Sequence, residues 1–299
     1  MDCEEVLRHL RAAASEKHRA AAVKLGIPEE SSLGIPTAEL RRIARAAGKS
    51  NALAFELWDT GYHEARLTAA LVFEPEGLAR ADVECLMGDV VSWDLCDHLC
   101  KELIIRRADY ESFINGWVSA AETYKKRAAF TLIAAAGVRF GPLPAEKTGE
   151  YLWLIRENSR DGRAHVKKAA SWALREIGKS GLEQRSAALG CAREMLSSGD
   201  AAQAWIARDA IRELENCVKV EGVKRLVPAG GKMAGRGGNK KAKPSPGSVK
   251  RERGGAFFTA LPLSWPARGG GRLSHPSGRT PGSRSSGCTL SGLSRPFCF

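Results

Sequence analysis

Apolar residues recur along residues 1–226 at spacings of three and four, and few segments alternate with a period of two. This periodicity is typical of amphipathic helices, so we expect nearly all of this region to be helical. Glycine, proline, asparagine and aspartate collect in six short segments that should interrupt the helices: residues 25–36, 46–51, 73–77, 139–144, 157–163 and 197–200. The pattern predicts an all-α fold made of many short helices.

Four of the predicted helices share a local pattern, a basic residue followed by small and apolar residues. The basic residues are Arg66, Arg127, Lys168 and Arg208, at offsets of 61, 41 and 40 residues. Steps near 40 residues are typical of paired-helix repeats of the HEAT type, in which each pair buries one face against its neighbours. The first offset contains one more predicted helix, residues 93–107, which brings the step near 30. We therefore expect a solenoid of HEAT-like repeats over residues 1–226, with an irregular all-α bundle as the alternative.

The net charge of +12 belongs to the C-terminal part of the chain. Residues 227–299 contain 13 Lys or Arg and one acid, Glu252, which leaves 33 basic and 33 acidic residues in residues 1–226. The same segment holds 15 of the 31 Gly and 8 of the 13 Pro. Such a composition offers little to bury, so we expect residues 227–299 to be a disordered basic tail.

Two basic clusters lie within residues 240–253 of this tail, separated by Pro, Ser and Gly. They resemble a bipartite nuclear-import signal, and equally a non-specific DNA-binding arm or a merely solubilising extension. We expect an intracellular protein, nuclear if the clusters act in import and cytoplasmic otherwise. The residues after Gly254 are of low complexity, and we assign them no function.

Several classes of protein are excluded by the sequence. No apolar run reaches the roughly 18 residues that a membrane span needs, and the first eleven residues are too charged for a signal peptide. Cys96 and Cys100 are one helical turn apart with His98 between them, but no CxxC pair supports a zinc site. The phosphate-binding GxxxxGK[ST], dinucleotide-binding GxGxxG and metalloprotease HExxH motifs are missing. We therefore expect neither a metal nor a cofactor.

The helix predicted over residues 92–105 has a core stripe formed by residues 95, 96, 99, 100 and 103. Trp93 and Asp97 are four residues apart and lie at one edge of this stripe, where Asp97 is free to face a ligand. Asp94, His98 and Lys101 should point towards solvent. The simpler interpretation is that Trp93 is an aromatic residue at the core edge and Asp97 a surface acid.

Two further helices carry cations on their exposed sides. In residues 125–137, Arg127 lies opposite the buried face, as a solvated charge or as a phosphate ligand. In residues 165–179, Trp172 lies off the core stripe, with Lys168, Arg175 and Lys179 on the same side. An aromatic residue among cations suits a polyanion such as DNA, but it also packs well under the aliphatic parts of those cations.

The chain resembles the AlkD-like DNA alkylation repair glycosylases over roughly residues 25–216. The motifs that carry this resemblance are W-D-x-x-D at 93–97, K-R-A at 126–128, K-K-A-x-x-W-x-L-R at 167–175, LGIP at 33–36, ELW at 56–58, HEAR at 63–66 and DAIREL at 209–214. Two departures are visible. Ser92 precedes Trp93 where some members have two consecutive Trp, and residues 20–28 lack a Tyr that some members carry in an N-terminal helix.

The resemblance implies a solenoid of HEAT-like repeats whose concave basic face binds duplex DNA. Members release positively charged N3- and N7-alkylated purines without inserting the base into a pocket. By resemblance, Asp97 is the catalytic carboxylate, Trp93 and Trp172 line the deoxyribose of the lesion, and Arg127 holds the nearby phosphate. Lys168, Arg175 and Lys179 are the further candidates for DNA binding. We expect a monomer whose partner is duplex DNA containing alkylated purines.

A non-catalytic HEAT-like scaffold that binds DNA or protein is the alternative function. The zero net charge of residues 1–226 favours this alternative, although charge can be segregated onto one face. The presence of Asp97, both Trp residues and Arg127 in one chain favours catalysis.

Overall fold

The computed structural model describes residues 1–231 and 233–234. Within them the chain forms thirteen α-helices, two 3₁₀ turns (Pro75–Gly77 and Ile104–Arg106) and one short hairpin, so the predicted all-α fold is confirmed. The helices are α1 (Cys3–Ala12), α2 (Glu16–Lys24), α3 (Thr37–Ala47), α4 (Asn51–Asp59), α5 (His63–Val72), α6 (Arg80–Gly88), α7 (Trp93–Glu102), α8 (Tyr110–Trp117), α9 (Thr123–Arg139), α10 (Ala145–Asn158), α11 (Ala164–Gly178), α12 (Leu182–Leu196) and α13 (Ala201–Glu215). None of the helices in these residues is long and apolar enough to cross a membrane.

Each of the six predicted interruptions contains a helix boundary. Polar side chains satisfy the free backbone N–H groups at several helix starts. Asp2 accepts from Glu5 N at 2.8 Å and Asp200 accepts from Gln203 N at 2.9 Å, which fixes the first turns of α1 and α13.

Six helices form a row in which each packs against the next: α3, α5, α7, α9, α11 and α13. We call this the central row. The helices α4, α8 and α12 pack against its flanks, as expected for paired-helix repeats. The central-row helices from α5 onwards begin at residues 63, 93, 123, 164 and 201, so the predicted steps near 30 and then near 40 residues are present. The HEAT-like solenoid is therefore confirmed.

Small residues allow the central-row helices α9 and α11 to approach closely. Residues 127–137 of α9 are all buried, and five of them are alanine. A Cβ at Gly137 would lie 3.2 Å from the carbonyl oxygen of Glu176 in α11, which is tighter than an ordinary contact. A larger side chain at this position would push the two helices apart.

A buried carboxylate joins the N-terminal loop to the central row. Glu64 in α5 is 3% exposed and accepts hydrogen bonds from Leu33 N at 2.8 Å, Gly34 N at 2.7 Å and Ser32 Oγ at 3.1 Å. These bonds satisfy backbone donors that would otherwise be buried without partners. The LGIP and HEAR motifs therefore meet in space, and their pairing is structural.

The folded region extends beyond the predicted domain end at residue 226. The strands β1 (Cys217–Val218) and β2 (Val227–Pro228) pair antiparallel, so a boundary between 226 and 227 cuts a hairpin. Leu226 is buried, and Arg225 donates to the carbonyls of Gly137 and Glu176 at 2.9 and 3.2 Å. Residues 235–299, including the basic clusters of residues 240–253, lie outside the described residues.

Candidate functional site

An ion pair between Asp97 and Arg127 lies at the centre of the site. Arg127 Nε donates to Asp97 Oδ1 at 3.0 Å, and Arg127 Nη2 donates to Asp97 Oδ2 at 2.9 Å. Thr131 Oγ1, one turn further along α9, donates to the same Oδ1 at 3.0 Å. Asp97 is 7% exposed and Arg127 is 6% exposed, so the pair is almost fully removed from water.

This burial corrects two expectations from the helical wheels. Asp97 was expected to face open space and Arg127 to lie opposite the buried face, but both are covered. The reason is that α7 and α9 are neighbours in the central row, so α7 is buried on the side that carries Asp97 as well as on its core stripe. The third guanidinium nitrogen, Arg127 Nη1, donates to the carbonyl of His165 in α11 at 2.8 Å.

Trp93, the first residue of α7, is half-buried beside this pair. The guanidinium carbon of Arg127 lies 5.9 Å from the centre of the indole ring, within the range of a cation–π contact. Trp93 Nε1 donates to the carbonyl of Leu25 at 2.9 Å. The ring is thus held between the N-terminal loop and the ion pair.

Trp172 in α11 is also half-buried and packs against the hydrophobic core. Its Nε1 donates to Glu176 Oε1 at 3.2 Å, and Lys101 Nζ of α7 lies 5.6 Å from the ring centre. Lys101 was expected to point into solvent. It is exposed, but its ammonium group lies over Trp172, so α7 and α11 approach each other here across α9.

The three cations expected around Trp172 have different surroundings. Lys168 is exposed and has no ion pair within the described residues. Arg175 is paired with Asp209 and Glu213, and Lys179 Nζ lies 2.7 Å from carboxylate oxygens of Glu176 and Glu213. Acids of α11 and α13 therefore already neutralise Arg175 and Lys179, which leaves Lys168 as the least neutralised of the three.

The face of α7 expected to meet solvent packs instead towards α5 and α3. His63 Nε2 of α5 lies 2.8 Å from Asp94 Oδ2. Burial alone would raise the pKa of Asp94, but the hydrogen bond and charge of His63 lower it below its usual value. His98 is 9% exposed and its Nε2 has no hydrogen-bond partner within the described residues. Burial, helped by the charge of Lys101, lowers the pKa of His98 to about 4.

The two cysteines of α7 lie in its interface with α9. Cys96 Sγ donates to the carbonyl of Tyr124 at 3.4 Å, and Cys100 Sγ contacts the carbonyl of Ala128 at 3.8 Å. Burial raises the pKa of the Cys100 thiol well above its ordinary value, which makes it a poor nucleophile. Among the described residues, no group of three or more His, Cys, Asp or Glu is arranged to hold a metal ion.

A second aromatic–cation contact, which the sequence did not suggest, lies one repeat beyond Trp172. Lys167 Nζ of α11 is 4.7 Å from the ring centre of Trp205 in α13, and Trp205 is partly exposed. The two residues are 38 positions apart, so no local pattern reveals the contact. The only available signal is their equivalent place in successive repeats.

The arrangement suits the stabilisation of a cation beside DNA. Asp97 Oδ2 accepts one hydrogen bond from the described residues and so retains an unused lone pair. Arg127 has five N–H donors, of which three are used. A carboxylate, an aromatic face and two unused guanidinium donors are therefore brought together by Trp93, Asp97 and Arg127.

Comparisons with known proteins agree with this architecture. A solved structure described as "A new family of proteins related to the HEAT-like repeat DNA glycosylases with affinity for branched DNA structures" is similar to this chain, with a TM-score of 0.60 and 18% sequence identity. The similarity covers 71% of this chain and 95% of that one. At this identity it shows a shared fold. No curated protein sequence matches the chain.

A family model described as "DNA alkylation repair enzyme" matches residues 6–214. This range covers more than two thirds of the chain and includes the whole central row, with Trp93, Asp97, Arg127 and Trp172. The chain therefore belongs to the DNA alkylation repair enzyme family.

Proposed function

We propose that this protein is a DNA glycosylase that excises positively charged N3- and N7-alkylated purines from duplex DNA in base excision repair. The observation that carries the proposal is the Asp97 carboxylate, which Arg127 and Thr131 hold in place beside the face of Trp93. Membership of the DNA alkylation repair enzyme family supports DNA as the substrate.

The chemistry of the lesion explains why one carboxylate is enough. An N3- or N7-alkylated purine carries a positive charge and becomes neutral when its glycosidic bond breaks, so it leaves without being protonated. The positive charge then develops on the deoxyribose, as in other glycosyl cleavages that pass through an oxocarbenium-like state. The enzyme therefore needs an anion near the sugar more than it needs a general acid.

Asp97 is proposed to supply this anion. Arg127 and Thr131 fix the orientation of the carboxylate before the substrate arrives, so little reorganisation is needed when the sugar becomes charged. Arg127 also offsets the cost of burying the carboxylate. The free lone pair on Oδ2 is proposed to face the sugar or to orient the attacking water.

Trp93 and Trp172 are proposed to line the deoxyribose, because indole faces attract cations and polarised C–H groups by about 0.5–2 kcal/mol per contact. Arg127 is proposed to hold a phosphate with its two unused N–H groups while keeping its contact with Asp97. Lys168, Arg175 and Lys179 are proposed to add contacts to the DNA backbone. The base itself is proposed to remain outside a pocket, unlike in base-flipping glycosylases.

The test is release of free base from a duplex that contains a single N7-methylguanine. Asp97→Asn should lower the excision rate by about 10²–10³-fold, as for the loss of one preorganised electrostatic group. Asp94→Asn is the matched control, because it removes a paired carboxylate from the same helix and should change the rate only a few-fold. Equal rates for wild type and Asp97→Asn would remove Asp97 from the mechanism.

A non-catalytic DNA-binding scaffold is the second candidate. It is favoured by the similar solved protein, which is described by its affinity for branched DNA, and by the closed Asp97–Arg127 pair. If the wild type releases no base above the spontaneous rate and binds a four-way junction more tightly than a linear duplex, this function replaces the glycosylase.

A further inference from the structure

A cleft outside the proposed lesion site lies between α3 and the C-terminal ends of α5 and α7. Its volume is about 410 Å³. We call it the basic cleft, and the residues that define it are Arg41, Arg45, Lys49, Leu71, Glu102 and Arg106.

The basic cleft carries a clear excess of positive charge. Four cations and one carboxylate line it, which gives a formal charge of +3. Arg41 and Arg106 both contact the single acid, Glu102. Arg45 is exposed and forms neither an ion pair nor a side-chain hydrogen bond within the described residues. The cleft therefore has more cations than its own carboxylate can balance.

Lys49 is held in the cleft by the backbone. Gly48 has a φ of +79°, in the left-handed region that favours glycine, and it ends α3 so that the next residue turns back. Lys49 Nζ then donates to the carbonyls of Leu71 and Phe73, both at 2.8 Å, at the C-terminal end of α5. Burial, together with the charge of Arg106, lowers the pKa of Lys49. The ammonium group is thus fixed among like charges, and a bound anion would relieve their repulsion.

We propose that the basic cleft binds a phosphate group of the DNA backbone. Guanidinium groups match phosphate oxygens in geometry and retain their charge, and the cleft presents three of them beside one ammonium group. Glu102 is five residues after Asp97 in α7, which corresponds to about 7.5 Å of helix rise. The cleft is therefore a second anchor near the lesion site, and a backbone contact there fixes the register of the duplex.

The proposal depends on the proposed function only in that DNA is the ligand. It is tested on undamaged duplex, where no base is released, so binding and excision are separated. Loss of excision with intact cleft binding would overturn the glycosylase alone. A cleft variant with unchanged binding would overturn this inference alone.

Arg45→Ala in the full chain is the decisive variant, because Arg45 makes no contact that the fold depends on. Arg42→Ala is the matched control, since Arg42 is an exposed arginine on the same helix that pairs with Glu39 and does not line the cleft. Fluorescence anisotropy with a labelled duplex between about 50 and 200 mM salt measures both affinity and salt dependence. Arg45→Ala should weaken binding by about 3- to 10-fold at the lowest salt and lower the log–log salt slope by about one.

Two results would overturn the proposal. The first is an equal effect of Arg45→Ala and Arg42→Ala on duplex affinity and salt slope. The second concerns a free phosphate ligand: inorganic phosphate at constant ionic strength raises the melting temperature of the wild type but not of Arg45→Ala, while the duplex salt slope is the same for both. That outcome would assign the cleft to a small phosphate compound and not to DNA.

Discussion

Asp97 and Arg127 satisfy each other through two hydrogen bonds while both are more than nine-tenths buried. They come from neighbouring helices of the central row and are 30 residues apart in the chain. A carboxylate buried alone would be very costly, so the arginine is the condition for placing an acid here. The same pairing fixes the carboxylate in one orientation, which is what the proposed electrostatic role requires.

The first prediction concerns this pair and the stability of the fold. Asp97→Ala and Arg127→Met should each lower the free energy of unfolding by about 3–5 kcal/mol, because each leaves an uncompensated buried charge. The double variant should lose at least about 1 kcal/mol less than the sum of the single variants, because no charge remains unpaired. Urea denaturation measures all four proteins. Strictly additive losses would show that the ion pair contributes nothing as a unit.

The second prediction concerns Trp172 and excision. If its indole face lines the deoxyribose, Trp172→Ala should lower base release by about 2- to 30-fold, corresponding to 0.5–2 kcal/mol. Trp172→Phe should retain part of the activity, because an aromatic face remains. Trp153→Ala is the control, since Trp153 is an exposed Trp on α10, outside the central row. A similar loss in the control would indicate a general effect of removing an indole.

The order of helices could be predicted because it depends on local rules. Glycine, proline and short polar residues interrupt the apolar periodicity at each of the six predicted positions, and the spacing of basic residues indicates the repeat. Each of these signals lies within one helix or one loop.

The partners of the site residues could not be predicted in the same way. A helical wheel assigns one buried face, but a central-row helix has a neighbour on both sides. Asp94 therefore meets His63 of α5 and Asp97 meets Arg127 of α9, although the wheel leaves both acids uncovered. Arg175 and Lys179 find Glu213 on the next central-row helix. Such pairs depend on the register between repeats, which no single segment contains.

The third prediction concerns His98 and pH. The pKa of His98 is lowered to about 4, first by burial and then by the charge of Lys101. The other charged groups that act on it are Glu102, Arg41 and Asp94. Because the folded state holds His98 neutral, its contribution to stability is complete above the unfolded pKa of about 6.5 and is lost as the pH falls towards 4. The loss should reach about 3 kcal/mol.

His98→Leu isolates this contribution. Leucine has no ring nitrogen, so the variant avoids the unpartnered Nε2 and cannot bind a proton. Its stability at pH 7 should be close to that of the wild type, and its loss between pH 7 and pH 4.5 should be smaller. Urea denaturation at the two pH values measures the difference. Parallel losses would show that His98 does not contribute to the acid sensitivity of the fold.

The fourth prediction separates the hairpin from the tail. A chain that ends at Ala234 should melt within about 2 °C of the full chain, since the residues after it are rich in Gly, Pro and Ser and are expected to bury little. It should bind duplex DNA with a flatter salt dependence, because twelve Lys or Arg are lost with one Glu.

A chain that ends at Asn216 should behave differently, because it also loses the hairpin. Leu226 is buried, and Arg225 reaches the carbonyl of Gly137 at the end of α9 and that of Glu176 in α11. Burying one leucine contributes about 1.5–3 kcal/mol, which for a domain of this size corresponds to a melting temperature lower by about 3–12 °C. Thermal unfolding followed by circular dichroism compares the two truncations with the full chain. Equal melting temperatures for the two truncations would mean that the hairpin adds no stability to α9 and α11, whereas an early loss in the longer one would mean that residues after 234 pack on the helices.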